Sequence, residues 1–166
     1  MPHSLPATFW ILLFVGLIFA NVSVYRAIFA PRALTVTVLA VGPAGKESRA
    51  TLVKSPGGGM LLIDTGPDAS ILRALGSALP MWQRNIDAVI LTSSAAGSAG
   101  GLPVVQSHYH VSKIIRVGDI FTPYGSSFTF ANARIQIIAP AAFQISSGSS
   151  VFSISSSTPA GVYVFN

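Results

Sequence analysis

The sequence predicts an α+β domain behind one N-terminal transmembrane helix, and three observations carry that prediction. Residues 5–24, LPATFWILLFVGLIFANVSV, contain no charged side chain. Residues 34–64 hold three apolar, partly β-branched runs separated by turn-forming residues, the signature of a small antiparallel meander. From residue 69 onward a helical apolar period alternates with short apolar runs, as expected for helices laid on a sheet.

Composition agrees with a membrane segment. The 166 residues are 51% hydrophobic and only 9% charged, where a soluble domain carries about 25% charged residues. As a helix, residues 5–24 reach about 30 Å, the thickness of a bilayer core. Trp10 and Tyr25 fall near its two interfaces. The segment lacks a basic n-region and a small-residue cleavage site, so it reads as an uncleaved anchor rather than a signal peptide. Arg26, Arg32, Lys46, Arg49 and Lys54 follow it and no Lys or Arg precedes it. By the positive-inside rule the following domain faces the cytoplasm of a single-pass cell-membrane protein. The division expected is 1–33 for helix and junction and 34–166 for the domain.

Within the domain, LTVTVLAV (34–41) suits a buried strand. A second strand runs over 50–54, SPGGG makes a hairpin connection, and MLLID (60–64) is the third. Ile71, Leu72, Leu75 and Leu79 recur at helical spacing over 69–79, with Asp68 as N-cap. DAVILT (87–92) is a fourth strand, GGLPVVQS a short helix and KIIRVG (113–118) a fifth strand. SSFTF and RIQIIA are strand-like. VFSI and GVYVFN read as two polar-faced strands that pair across SSSTPA.

Chemistry is limited by what is absent. There is no cysteine, which excludes disulfides and thiolate metal sites. The acids are Glu47, Asp64, Asp68, Asp87 and Asp119 and the imidazoles His3, His108 and His110, a sparse set for a two-metal hydrolase. The net charge of +5 permits attraction to nucleic acid or anionic lipid.

The segments VTVLAVG, TLVKSPGGGMLLIDTG, DAVILT and GGLPVV together resemble the metallo-β-lactamase-like domain at the C-terminus of ComEC-type DNA-uptake channel proteins. In that family the hairpin ends in LIDTG and a strand ends in LTHxHxDHxGG. Leu91 and Thr92 match that motif, as do Gly100 and Gly101. The first His falls on Ser93, the second on Ala95, the Asp on Gly97 and the third His on Ser98. An Asp of the family's first strand falls on Ala40, and its GQGD is replaced by GPAGKES. The family's later TGD and final metal-binding His have no counterpart before Asn166. The resemblance therefore implies an incomplete αββα fold, about one αβ half plus extra strands, lacking the second half. It implies no catalytic residue, metal or other cofactor. Asp64, Thr65, Gly66, Thr92, Gly100 and Gly101 remain as structural motif residues.

The physical reason is the donor set. Such a centre needs imidazoles and a carboxylate converging at about 2.0 to 2.2 Å; alanine and glycine offer no side-chain donor, and protonated serine is a poor ligand for zinc. Asp64 reads as a strand-terminal residue that organises the next turn. His108 and His110 share a face if extended, yet lie away from the ligand loop and read as a surface pair. SPGGG lacks the GK[ST] ending of a phosphate loop. Ser93, Ser94 and Ser98 have no assignable base, and Asp119 reads as a loop residue.

The function implied by the resemblance is a membrane-anchored, non-catalytic protein linked to DNA uptake and competence, with the membrane and DNA as partners. Two other readings stand beside it. One is a structural or interaction module in which a channel subunit or a second copy covers an open sheet face, or else a decayed gene fragment. The other is a metal-dependent hydrolase or nuclease, with ligands supplied by His108, His110 and Asp64 or by a partner chain.

Overall fold

The computed structural model describes residues 7–29, 33–43, 48–118, 120, 122–147, 150–155 and 157–165. Two compact units divide the chain, Met1–Ala30 and Pro31–Asn166. The first contains α1 (Ala7–Phe29), whose described side chains, residues 8–22, are all exposed. Among the described residues no helix is long and apolar enough to cross a membrane. The span expected over 5–24 includes positions outside the described ones.

The second unit is α+β and is built on a six-stranded mixed sheet in the order β10-β1-β2-β3-β4-β5. Its strands are β1 (Leu34–Val41), β2 (Ser48–Lys54), β3 (Met60–Ile63), β4 (Asn85–Leu91), β5 (His110–Arg116) and β10 (Gly161–Phe165). The first three form the expected antiparallel meander. β3, β4 and β5 then run parallel, linked through α2 (Ser70–Ala78), α3 (Ala96–Ala99) and α4 (Leu102–His108). The central β3 reads as a continuous apolar run, MLLI, because both of its faces are buried.

A second, four-stranded sheet has the order β6-β7-β8-β9, made of β6 (Ser127–Phe130), β7 (Ala133–Ala139), β8 (Ala142–Ser147) and β9 (Ser150–Ile154). Two cores follow. Leu52, Leu62, Val89 and Leu91 of the first sheet pack against Ile71 and Leu75 of α2 and Leu102 and Val105 of α4. On the opposite face Val36, Val38, Leu61, Ile63 and Ile90 meet Ile135, Ile137, Phe143, Ile145 and Ile154 of the second sheet.

The domain is one αβ half plus extra strands, as expected, and those strands include one the sequence did not reveal, β8, AFQISS. Helices lie on one side of the large sheet and the second sheet on the other, so its central strands are covered on both faces, while Val162 and Val164 of the edge strand β10 stay exposed. The outward positions of that second sheet include Ser127, Thr129, Arg134, Gln136, Gln144 and Ser153, polar enough to face water without an outer helix layer. β9 and β10 do not pair with each other: β9 pairs with β8 and β10 crosses to the edge of β1. Tyr163 and Phe165 of β10 keep ring contact with Phe152 of β9, at 4.6 and 5.4 Å between centroids.

Boundaries shift for local reasons. Asp68 is not the N-cap of α2, which is Ala69; its carboxylate Oδ1 instead accepts the Ser70 N–H at 2.9 Å, and hydrogen bonding from Ser70 holds that carboxyl below its ordinary value. β5 begins at His110 rather than Lys113, because the His110 N–H donates to Arg84 O at 2.7 Å and opens the parallel register with β4.

Candidate functional site: a hydrogen-bonded loop frame around Asp64

β3 ends at Ile63, and at Asp64 the backbone turns into the left-handed region with φ 57°. Asp tolerates that conformation better than most residues because its short polar side chain bonds locally. Its N–H donates to Ile90 O at 2.8 Å. The side chain is only 3% exposed. Carboxylate Oδ1 accepts the Thr92 N–H at 2.8 Å and Oδ2 accepts the Thr92 hydroxyl at 2.7 Å. Burial pushes the carboxyl up to about 6, while hydrogen bonds from the Thr92 hydroxyl, the Thr92 N–H and the Ser98 side chain pull the other way.

Thr92 extends the frame into the second sheet. Its Oγ1 accepts the N–H of Ala141 at 2.9 Å, in the turn between β7 and β8, and its carbonyl oxygen accepts the Tyr124 hydroxyl at 3.0 Å. Each polar atom of Thr92, a fully buried residue, thereby has a partner within the protein.

The two turns beyond β3 and β4 interlock through their backbones. The Thr65 N–H and hydroxyl both donate to Ser98 O, at 2.7 and 3.1 Å. The Gly101 N–H donates to Gly66 O at 2.9 Å. Gly66 lies at φ 73°, and a Cβ there would stand 2.4 Å from Val41 Cγ2. The structural motif residues Asp64, Thr65, Gly66, Thr92, Gly100 and Gly101 are thus one contiguous cluster at the C-terminal ends of β3 and β4.

The four positions aligned with ligands lie in the loop that this frame holds. Ser93 is half-buried, Ala95 and Gly97 are exposed and Ser98 is buried. Ser93 Oγ accepts the Ala95 N–H at 3.1 Å, and the Ala95 carbonyl starts α3 by accepting from Ser98 and Ala99. Among the described residues no group of three or more His, Cys, Asp or Glu could hold a metal ion. The side chains present do not fit a metal centre of the HxHxDH kind, since both carboxylate oxygens of Asp64 are engaged by Thr92 and nothing else in the loop carries an imidazole or carboxylate.

The remaining candidates lie elsewhere. His108 closes α4 and His110 opens β5, so the two do not alternate along one strand. His108 Nδ1 lies 3.1 Å from Val104 O and 3.0 Å from Ser107 Oγ. The depression beside them is lined by 106–111 alone, at the opposite end of the sheet from Asp64. Asp87 lies beside β3, its Oδ2 accepting the Met60 N–H at 2.7 Å. Glu47 and Asp119 lie outside the described residues. Sequence reasoning missed Tyr124, Ala141 and Ser70, whose Oγ accepts the Gly42 N–H at 2.6 Å. The only local signal for Tyr124 was the turn chemistry of TPYG.

No protein-family model matches the sequence, and no curated protein matches it. Among solved structures the fold is similar to metallo-β-lactamase-fold proteins at low identity. One is a Cronobacter sakazakii metallo-β-lactamase with a HARLDQ motif, at 14% identity and TM-score 0.45, covering 60% of this chain and 49% of that one. Another is rubredoxin oxygen:oxidoreductase from Desulfovibrio gigas, at 15% identity and TM-score 0.47, covering 67% of this chain and 35% of that one. A chemotaxis sensor, ODP, solved as a peroxy diiron species, gives 12% identity and TM-score 0.41 over 66% of this chain and 58% of that one. The chain spans about half the length of the first of these.

Proposed function

We propose that this chain is a membrane-anchored, non-catalytic metallo-β-lactamase-like protein of the ComEC type, serving DNA uptake at the cell membrane. One observation carries the reading. The frame of Asp64, Thr65, Gly66, Thr92, Gly100 and Gly101 is held by side-chain and backbone hydrogen bonds within the protein, while positions 93, 95, 97 and 98 carry no metal-ligating side chain suited to zinc. A loop pinned this way keeps its shape without an ion, so shape rather than turnover is what it supplies. The uncharged stretch of residues 5–24 supports the anchor, and an excess of ten Lys and Arg over five acids supports contact with nucleic acid or anionic lipid.

The test is the metal content of the purified full chain together with nuclease and phosphodiesterase assays. The expected result is substoichiometric zinc and manganese and no turnover above buffer. Stoichiometric metal with turnover would overturn the reading in favour of a hydrolase.

Restoring the donors gives a second expected outcome. A Cβ at Gly97 meets only Ser48 Oγ, at 3.6 Å, so Gly97→Asp fits sterically, and Ala95 is exposed. The quadruple change Ser93→His, Ala95→His, Gly97→Asp, Ser98→His should bind zinc weakly, because Ser98 is buried and among the described residues no cluster of His, Cys, Asp or Glu stands ready to add the later ligands. Titration with a chromogenic chelator as competitor checks this; a tight, stoichiometric site would show the later ligands to be dispensable.

A further inference from the structure

Among the described residues four strands end a sheet: β10 and β5 in the large one, β6 and β9 in the small one. Such a strand presents a row of unpaired backbone N–H and C=O groups, and proteins guard it against further pairing, most often with charge. β5 exposes His110, Lys113 and Arg116. β6 exposes Ser127 and Thr129, and β9 exposes Ser153 beside Val151. β10, GVYVF, carries neither charge nor a short polar side chain. Its exposed positions are Val162 and Val164, at 64% and 61%.

The two valines share a face. Successive side chains of a strand point to opposite sides, and Tyr163 and Phe165 pack into the core beneath the second sheet. Val162 and Val164 therefore point to the helix side, where their cross-strand neighbours are Thr37 and Thr35 of β1. The helices leave them uncovered, so in water they add nothing to the apolar burial that stabilises the fold.

We infer that β10 is the edge through which two copies of this chain pair, antiparallel and about a two-fold axis at Tyr163, into one continuous sheet. Charge selects a second copy at this edge. The chain carries a net +5, so copies repel one another, but neither β10 nor β1 behind it holds a charged residue. Two β5 edges would instead set Lys113 and Arg116 against cations of the same kind. Symmetry fixes the register: Val-Tyr-Val reads alike in both directions, so an isologous pairing sets each Val162 opposite Val164 of the other copy. It also sets each Gly161 opposite Phe165 of the other copy, whose ring can cover the glycine. Orientation follows from the faces. An antiparallel pair has its two-fold axis perpendicular to the sheet, which keeps both helix sides together and brings the four valines into contact. A parallel pair turns one sheet over and leaves the valines on opposite faces. Five paired residues per copy fall short of the roughly 1,200 Å² at which stable interfaces begin, so the dimer is a weak one, dissociating at roughly micromolar concentration. The inference rests neither on the anchor nor on the DNA-uptake reading.

The chain has no cysteine of its own, so single-cysteine variants of the full chain trap a weak contact without background. Val162→Cys and Val164→Cys chains, told apart by tags of different size, are mixed in a non-ionic detergent and oxidised. Positions directly opposite stand within reach of a disulfide, whereas same-number positions lie on a diagonal of about 7 to 8 Å. The mixed 162–164 disulfide is expected in excess over both same-site products. Adding Val164→Lys to the first chain and Val162→Lys to the second sets two ammonium groups opposite each other in that dimer and should lower its yield roughly tenfold, with recovery in high salt. Lys113→Cys chains should give only the background of random collisions. On the unmodified chain, amide exchange over 162–165 should slow as protein concentration rises, while that over 111–116 stays constant. Absence of the mixed product, same-site disulfides in its place, or a yield indifferent to the lysines overturns the inference. So does an equal yield from Lys113→Cys, which marks association through another part of the chain, and so does exchange at β10 that is independent of concentration, the result expected if a different partner occupies the edge.

Discussion

Replacing Gly101 by Ala should destabilise the domain by about 3 kcal/mol, at the upper end of the usual penalty for overpacking. The backbone conformation is not the obstacle, since Gly101 lies at φ −79° and ψ −8°, open to any residue. The obstacle is space. A Cβ would stand 2.4 Å from Thr65 O, 2.8 Å from Asp68 O and 3.0 Å from Ile71 Cγ2. Two of these neighbours are backbone carbonyls that cannot rotate aside, so the turn at 64–68 must separate from that at 98–101. The Gly101 N–H bond to Gly66 O stretches with it. Gly100→Ala meets Pro67 O at 2.2 Å and should behave alike. In a domain of this size such a loss lowers the thermal midpoint by roughly 10 °C. Gly76→Ala is the control. It lies within α2, where an added methyl would meet nothing inside 4 Å, and should stabilise by about 0.5 to 1 kcal/mol through helix propensity alone. Denaturant midpoints for the three variants check the series, and a Gly101→Ala protein as stable as the parent would show that the two turns are not interlocked.

The same contacts explain how much of the site could be read in the sequence. The pair Gly100-Gly101 and the run Asp64-Thr65-Gly66 stand out as residues because each serves a local backbone need: close approach for the first, left-handed φ and contact with Val41 for the second. Their neighbours across the fold left no such trace. Tyr124 and Ala141 reach Thr92 over 32 and 49 positions of chain, and a tyrosine hydroxyl or an alanine N–H has no sequence signature of its own. Strands with two buried faces were legible as apolar runs, as β1 and β3 demonstrate. β8 was not, because only Phe143 and Ile145 of AFQISS point inward, and Ala, Gln and Ser at the other positions blur the alternation. The pairing of β10 with β1 was hidden for another reason. Nearness in sequence favours a hairpin with β9, but the outer strand position beside β1 also lets Tyr163 and Phe165 meet Phe152, so β10 pairs with the distant strand and keeps its aromatic contact with the near one.

Asp64 should make the domain less stable as pH rises from about 4 to about 6, an unusual direction for a carboxylate. In the fold its carboxyl titrates at about 6 against an ordinary 3.8. Between those values the folded chain holds a proton that the unfolded chain releases, so stability falls with pH. The contribution is complete below about pH 4 and lost above about pH 6, and at 1.36 kcal/mol per pH unit it amounts to about 3 kcal/mol. Removing the carboxyl does not recover that energy. Asp64→Ala strands the Thr92 N–H and hydroxyl without an acceptor and places alanine at φ 57°, which together cost about 3 kcal/mol at neutral pH. Asp64→Asn separates the two effects. Its amide oxygen can accept the Thr92 N–H, its NH₂ can donate to Thr92 Oγ1, and it tolerates the left-handed backbone, yet it does not titrate. Thermal midpoints of the parent and the Asn variant, followed from about pH 4 to about pH 7, should show the parent falling relative to the variant by roughly 10 °C. A constant difference would mean that the two Thr92 donors outweigh burial and that the carboxylate stays ionised throughout, which would make the frame a charge-assisted clamp rather than a desolvated one.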